Sequence, residues 1–195
     1  LQDRGVNTFL GEMWRLPFYS MVHGAPMDIM HIFFEGVGRQ GLEPLSYVMI
    51  NQWGVDESVL VSLMSVYSKE QKLPAHHFPY VNSTRAAHLK QGQAGGIPSS
   101  DCSFPGNAIQ VAHLLMHLPG VFGAHVPPEE KKGSIWGMAL LLCKIARYLW
   151  KRSFTATDLV ELDKAIWLHD TVLLNTPELH HLWKPKNHYK AQIPP

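Results

Sequence analysis

Cysteine is scarce in this sequence. The two cysteines, Cys102 and Cys143, lie far apart and form no CxxC or CxxH spacing. A disulfide framework requires several cysteines at short spacings, and a cysteine zinc site requires closely spaced pairs. The sequence therefore predicts neither, and a reducing, intracellular compartment is the expected location.

Long hydrophobic runs are also missing. The most apolar run extends from Ile135 to Cys143 and ends at Lys144, well short of the ~20 residues that a membrane-spanning helix needs. We therefore expect no transmembrane segment and no membrane partner. The first residues, LQDRGVNTFL, contain neither the basic nor the apolar region of a signal peptide, and we expect the chain to be a fragment of a larger protein.

Neither sign of charge is in excess. The 17 basic and 16 acidic residues give a formal net charge of +1, so charge balance alone gives no argument for binding to nucleic acid. Two local clusters of basic residues are present, and we interpret both as solvated helix ends. Their members are Lys144, Arg147, Lys151 and Arg152, and then Lys184, Lys186 and Lys190.

The spacing of apolar residues predicts a mainly α-helical protein. No segment alternates apolar and polar residues as a half-buried strand does, and no internal repeat is present. Pro26 and Asp28 suit the start of a helix whose many apolar residues predict burial. We expect the three glycines between positions 36 and 41, together with Pro44, to weaken this helix.

Residues suited to N-caps mark three later helices: Asp56, Asn107, and either Thr155 or Thr157. The helix after Asn107 is expected to stop at Pro119 because proline cannot donate the next backbone hydrogen bond.

A further helix is predicted within residues 127–152, which begin with prolines and acidic residues and end with basic ones. Within it, Trp136, Leu140, Cys143 and Trp150 recur at helical spacing and are assigned to core packing. The whole chain, 1–195, is taken as a single region, with a flexible boundary between two helical halves predicted near 90–106.

Asp28, His31 and Glu35 are three and seven residues apart, so on an α-helix they form one polar stripe. Carboxylates and imidazoles bind divalent metals or position a phosphate, and a carboxylate beside a histidine sets its tautomer. The same spacing fits an Asp28 that caps the helix and a His31 that is hydrogen-bonded in the core. Spacing alone leaves both interpretations open.

Histidine is abundant, with twelve in the chain. His113 and His117 have the i, i+4 spacing of zinc ligands but lack the glutamate of HExxH, so a structural role is favoured for them. A histidine-rich metal-binding protein that uses His31 with Asp28 and Glu35 is one alternative function. No GxSxG, GxGxxG or Walker loop is present, so nucleotide hydrolysis is not predicted.

Two short motifs resemble a known family. The segment LPFYSMVHGAPMDIMHIFFEGV, residues 16–37, is similar to the central segment of CACTA (En/Spm-like) transposases and related transposon-derived proteins. In these proteins a Leu-Pro-aromatic piece precedes Asp-x-Met-His and an apolar helix. The segment LWKPKNHY, residues 182–189, resembles the Pro-Lys-x-His-aromatic stretch that closes the same region, so the resemblance spans nearly the whole chain.

This resemblance implies an RNase H-like core interrupted by a helical insertion, with an acidic triad that holds two Mg²⁺ or Mn²⁺ ions for cleavage and transfer of DNA strands. By the match, Asp28 and His31 are the signature pair, with His31 near the scissile phosphate, and they are not members of the acidic triad. Glu35 is a candidate for metal binding because it lies on the same predicted polar stripe. Lys186 and His188 are candidates for contact with DNA. The implied partners are transposon-end DNA and further copies of the chain, and the implied location is the nucleus.

Other features depart from the family pattern. IFFEG follows the signature where plant-type relatives have Ile-Glu-Lys-Asn. The strands with the first catalytic acid are expected upstream, Asp3 is the candidate for the second acid, and Glu129, Glu161 and Glu178 are unranked candidates for the third. The alternative function is therefore a non-catalytic helical module that binds DNA or protein, and enzymatic activity is left open.

Overall fold

The computed structural model describes residues 30–74, 76–81, 104–177 and 179, and the regular structure within them is helical. No strand occurs in these ranges, which confirms the mainly α prediction for this part of the chain. In chain order the elements are a π-helix (Met30–Gly38), α1 (Arg39–Asn51), α2 (Glu57–Glu70), α3 (Ala108–Phe122), two 3₁₀ turns (Gly123–His125 and Glu130–Lys132), α4 (Ser134–Leu149) and α5 (Ala156–Asn175).

The π-helix continues directly into α1 without the interruption expected from the glycines and Pro44. The glycines serve close packing instead. A Cβ at Gly38 would lie 2.6 Å from Leu115 Cδ1, and a Cβ at Gly41 would overlap Leu142 Cδ1. Both neighbours are fully buried, so these glycines let α3 and α4 approach the helical backbone closely.

Three N-caps occur where they were predicted. Asp56 accepts a hydrogen bond from the Ser58 backbone N–H at 2.8 Å, and Asn107 forms a reciprocal capping box with Gln110. Thr155, rather than Thr157, caps α5, and Asp158 completes its capping box.

The predicted end of α3 at Pro119 is wrong. The helix continues to Phe122 and then into a 3₁₀ turn. Val121 and Phe122 are both buried, and this burial offsets the loss of one backbone hydrogen bond at the proline. The following helix also differs from prediction, because α4 begins only at Ser134, and of the acidic residues before it Glu130 lies in a separate 3₁₀ turn and Glu129 directly precedes that turn.

A single large core joins elements from both sides of the undescribed segment 82–103. Phe33 and Phe34 of the π-helix are buried and pack edge-to-face with ring centroids 5.2 Å apart. Phe104, also fully buried, donates its backbone N–H to Glu43 Oε1 of α1 at 3.0 Å. Residues 104–106 are therefore held against α1, while most of the boundary predicted near 90–106 lies outside the described residues.

Of the four residues assigned to the core in and directly after α4, two are buried. Trp136 and Cys143 are buried, but Leu140 and Trp150 are exposed. Met138 is also buried, so the buried face of α4 is rotated around the helix relative to the face predicted from Trp136, Leu140 and Cys143. No helix in the described ranges is long and apolar enough to cross a membrane.

Candidate functional site

The signature segment enters the described structure as a buried π-helix. Asp28 precedes the described residues, the backbone at His31 lies in the π-helix, and Glu35 is half-buried. A π-helix forms i to i+5 hydrogen bonds, so positions 31 and 35, four residues apart, are neighbours on successive turns. The place of Asp28 relative to them lies outside the described residues, and the three-residue stripe stays a prediction.

Several other candidates lie outside the described residues, namely Asp3, Lys186 and His188, and the side chain of Glu178 is likewise not described. Of the remaining candidates for a third catalytic acid, Glu129 is exposed. Glu161 forms an ion pair with Lys144 at 2.6 Å across the contact between α4 and α5.

The basic residues at the end of α4 are engaged within the chain. Besides the pair between Lys144 and Glu161, Lys151 pairs with Asp158 at 2.6 Å. The hydrogen bond from Lys151 lowers the pKa of the Asp158 carboxyl to about 2. Arg147 donates through Nε and Nη2 to the Met116 carbonyl oxygen at 3.1 and 2.8 Å. Two of the four cations, Lys144 and Lys151, are thus paired with carboxylates, which favours the interpretation of the cluster as a solvated helix end over a phosphate-binding patch.

A histidine cluster forms where residues 76–81 cross α3. The rings of His77 and His113 stack with centroids 3.9 Å apart and planes 9° apart. His117, one turn along α3, meets the His77 ring edge-on at 5.8 Å. The i, i+4 spacing identified His113 and His117 in the sequence, but it gave no signal that His77 joins them across 36 residues.

Aromatic side chains surround this histidine cluster (His77, His113 and His117). Tyr67 of α2 places its hydroxyl 3.4 Å from His117 Nδ1. Trp150 meets the His113 ring at 5.5 Å. The cluster therefore connects α2, α3 and the end of α4 through ring contacts.

Burial and neighbouring cations favour neutral imidazoles in this cluster. Desolvation lowers the pKa of His77, and positive charge on His113 and His117 would lower it further. The pKa of His117 is also lowered, first by desolvation and then by His113 and Arg147. Within the described part of the chain, His77 Nε2 is buried and forms no hydrogen bond.

The ring geometry does not suit metal binding. Because the His77 and His113 rings are nearly parallel, their nitrogens do not point toward one shared ion. No group of three or more His, Cys, Asp or Glu side chains in the described ranges is arranged to hold a metal. An open cleft of about 410 Å³ borders the cluster, lined by Lys69, His76 and Tyr80 among others.

The chain matches no known protein family, and neither the curated proteins nor the solved structures include one that is detectably similar to it. The geometry and the two short motifs therefore carry the functional interpretation.

Proposed function

We propose that this chain is the signature helix and helical insertion region of a CACTA-type transposase-like protein. The complete protein would cleave and transfer DNA strands in the nucleus with Mg²⁺ or Mn²⁺, on an RNase H-like core. In this proposal the described helices form the scaffold that holds the signature segment in place.

One observation carries the proposal: a π-helix begins within the Asp-x-Met-His motif, at Met30, and packs against α1 and α3. π-helical segments are rare in proteins and occur frequently at functional sites. This segment is anchored by Phe33, Phe34 and Val37, which are all buried. Such anchoring would hold the backbone at His31 in a defined position, which a residue acting on a scissile phosphate requires.

The close approach of three helices supports this scaffold role. Because Gly38 and Gly41 have no side chain, Leu115 of α3 packs directly on the backbone at Gly38 and Leu142 of α4 packs on the backbone at Gly41. These contacts hold the π-helix and α1 close to α3 and α4. A predominantly helical region also agrees with the insertion that the resemblance implies.

The described residues do not fit the proposed metal site. Glu161 and Asp158 are both held by lysines, and no metal-binding group occurs in the described ranges. We therefore derive no step through a metal ion from these residues. The chemistry assigned to this chain is the placement of His31 beside the phosphate, where an imidazole can donate a hydrogen bond or transfer a proton.

A non-catalytic binding module is the second candidate function. The near-neutral charge of the chain favours it, and the internal pairing of Lys144 and Lys151 favours protein over DNA as its partner because these lysines already have carboxylate partners. Such a module would retain the helical scaffold and bind DNA or protein without cleavage.

Cleavage of supercoiled plasmid by the complete protein with Mn²⁺ separates the two functions. We expect wild-type protein to nick the plasmid, and we expect His31→Ala to reduce the rate by about 100-fold or more, as the loss of a proton-transfer group does. The matched control is His125→Ala, in the 3₁₀ turn after α3, which should retain the wild-type rate. Thermal melting of each variant should remain unchanged.

Three outcomes would contradict the proposal. Full cleavage by His31→Ala would remove the assigned role of this histidine. A loss of unfolding free energy of about 1–3 kcal/mol in that variant would instead identify a buried, hydrogen-bonded core residue. Binding of plasmid without metal-dependent nicking would favour the non-catalytic module.

A further inference from the structure

The segment 76–81 borders both the open cleft and the histidine cluster. Its residues 76–80 form one wall of the cleft, and α2 supplies much of the remaining lining. The His77 ring of the same segment stacks on His113 of α3, with centroids 3.9 Å apart and planes 9° apart. Movement of this segment away from α3 would therefore separate the stacked rings and widen the cleft.

The backbone at the start of this segment has a conformation that residues other than glycine seldom adopt. Lys72 and His76 have φ angles of 54° and 61°, in the left-handed region. Such a conformation costs free energy and persists only where surrounding contacts hold it. One such contact is the hydrogen bond from Gln110 Nε2 of α3 to the His76 carbonyl oxygen, at 3.1 Å. The closed position of the segment thus depends on its packing against α3.

The side chains around the histidine cluster supply positive rather than negative charge. Titratable and charged neighbours come from the segment itself, from α2 and from α4, namely His76, Tyr67, Lys69 and Arg147. None of these four is a carboxylate that could stabilise an imidazolium. Desolvation is the main cause that lowers the pKa of His77 and His117, and neighbouring positive charge lowers both pKa values further. These histidines therefore bind protons more strongly once the rings separate and become hydrated.

We propose that the histidine cluster is an acid-sensitive switch. Protonation of both His77 and His113 separates their stacked rings, moves residues 76–81 away from α3 and widens the cleft, while the helices stay folded. A single proton is compatible with the stack, because a protonated His113 can still donate from Nδ1 to the His77 carbonyl oxygen, 3.3 Å away. The second proton places two cations face to face, and their repulsion opens the segment. This switch does not depend on the proposed DNA cleavage.

Opening is a shift in population, because the segment also carries buried apolar side chains. Phe78 and Val81 are 5% and 0% exposed, and both must leave the core when the segment opens. The open form therefore stays a minor species in mild acid. Hydrogen exchange of backbone amides detects such minor open forms, since exchange occurs only while the segment is open.

Hydrogen exchange of the full chain, measured by mass spectrometry well below the melting temperature, tests the switch. Each observed rate is divided by the intrinsic exchange rate at the same pH. We expect the peptide that contains residues 76–81 to exchange about tenfold or more faster at pH 5 than at pH 7, because one proton taken up on opening changes the equilibrium by up to tenfold per pH unit. Peptides from the core of α4, where Leu142 and Ala146 are fully buried, should keep their protection.

Replacing one ring of the stack should remove this response. His77→Phe keeps a flat ring on His113 and sacrifices no hydrogen bond at Nε2, which has none within the described residues. We expect its acid response to fall to about threefold or less. His113→Phe removes the other titrating ring of the stack and should give the same result, and circular dichroism shows that each variant is folded. The matched control, His76→Asn, removes a neighbouring histidine, suits the left-handed backbone and should respond like the wild type.

Three results would overturn the switch. The first is equal protection of residues 76–81 at the two pH values in the wild type. The second is an undiminished acid response in both phenylalanine variants, or loss of the response in His76→Asn. The third is loss of protection in all helices together at pH 5, which would identify global unfolding rather than local opening.

Discussion

The imidazole rings of His77 and His113 stack at 3.9 Å, and His113 Nδ1 lies 3.3 Å from the His77 carbonyl oxygen. This contact attaches residues 76–81 to α3. Positive charge on both rings would place two cations face to face, so the packing depends on at least one ring being neutral.

Stability should therefore fall in mild acid. His77 and His117 have pKa values below 6.5 in the folded protein, so between those values and 6.5 the unfolded chain binds more protons than the folded one. The free energy of unfolding therefore rises with pH in this window. The stability that the neutral imidazoles contribute is fully present above pH 6.5 and is lost as the pH falls through the pKa values of His77 and His117 in the folded protein. Thermal melting between about pH 5 and 8 measures this slope and avoids the titration of Asp158, whose pKa is about 2.

Replacing one ring identifies the source of that slope. His113→Phe retains a flat ring against His77 but removes a positive charge that lowers the pKa of His77 and His117, so we expect a shallower dependence of melting temperature on pH. His125→Gln, outside the cluster, is the control and should keep the wild-type slope. Equal slopes in all three proteins would show that the cluster does not control acid stability.

Two glycines should respond in opposite directions to the same substitution. A methyl group at Gly41 overlaps the buried Leu142, so Gly41→Ala should cost about 1–3 kcal/mol. Gly137 of α4 has open space around its Cβ position, and Gly137→Ala should stabilise the helix by about 0.5–1 kcal/mol. Urea denaturation measures both changes. If Gly41→Ala is as stable as wild type, the close packing of α1 on α4 is wrong.

The cap of α5 is tested by two threonines that are close in sequence. Thr155 accepts a hydrogen bond from the Asp158 backbone N–H at 3.2 Å, and its own N–H donates to Asp158 Oδ2 at 3.0 Å. Thr155→Ala should therefore cost about 0.5–2 kcal/mol. Thr157→Ala, an exposed substitution inside the helix, should change the free energy of unfolding by less than about 0.5 kcal/mol. A larger loss at Thr157 would contradict the assigned cap.

Local signals predicted much of the fold. Asp56 and Asn107 cap helices as expected because a cap depends only on residues within one turn of it. The errors occurred where tertiary packing overrides local preference. Pro119 and Pro44 lie inside helices because their surroundings are buried, and this burial is not visible from neighbouring residues in the sequence.

The candidate site was harder to predict. The stripe of Asp28, His31 and Glu35 assumed an α-helical period, and no simple sequence rule distinguishes the π-helix that is present from Met30 onward. His77 and His113 are far apart in the sequence and stack only in the folded protein. Helical periodicity describes neighbours within one helix, so it could not predict this contact. The roles of Asp28, His31, Glu35, Lys186 and His188 remain predictions.

The most direct test of the central proposal is the metal dependence of DNA cleavage by the complete wild-type protein. Supercoiled plasmid is incubated with the protein and Mg²⁺, Mn²⁺ or EDTA, and nicked and linear products are quantified on a gel. We predict products with Mg²⁺ or Mn²⁺ and none with EDTA. Intact plasmid under all three conditions, with the protein folded and bound to the DNA, would contradict the transposase-like function.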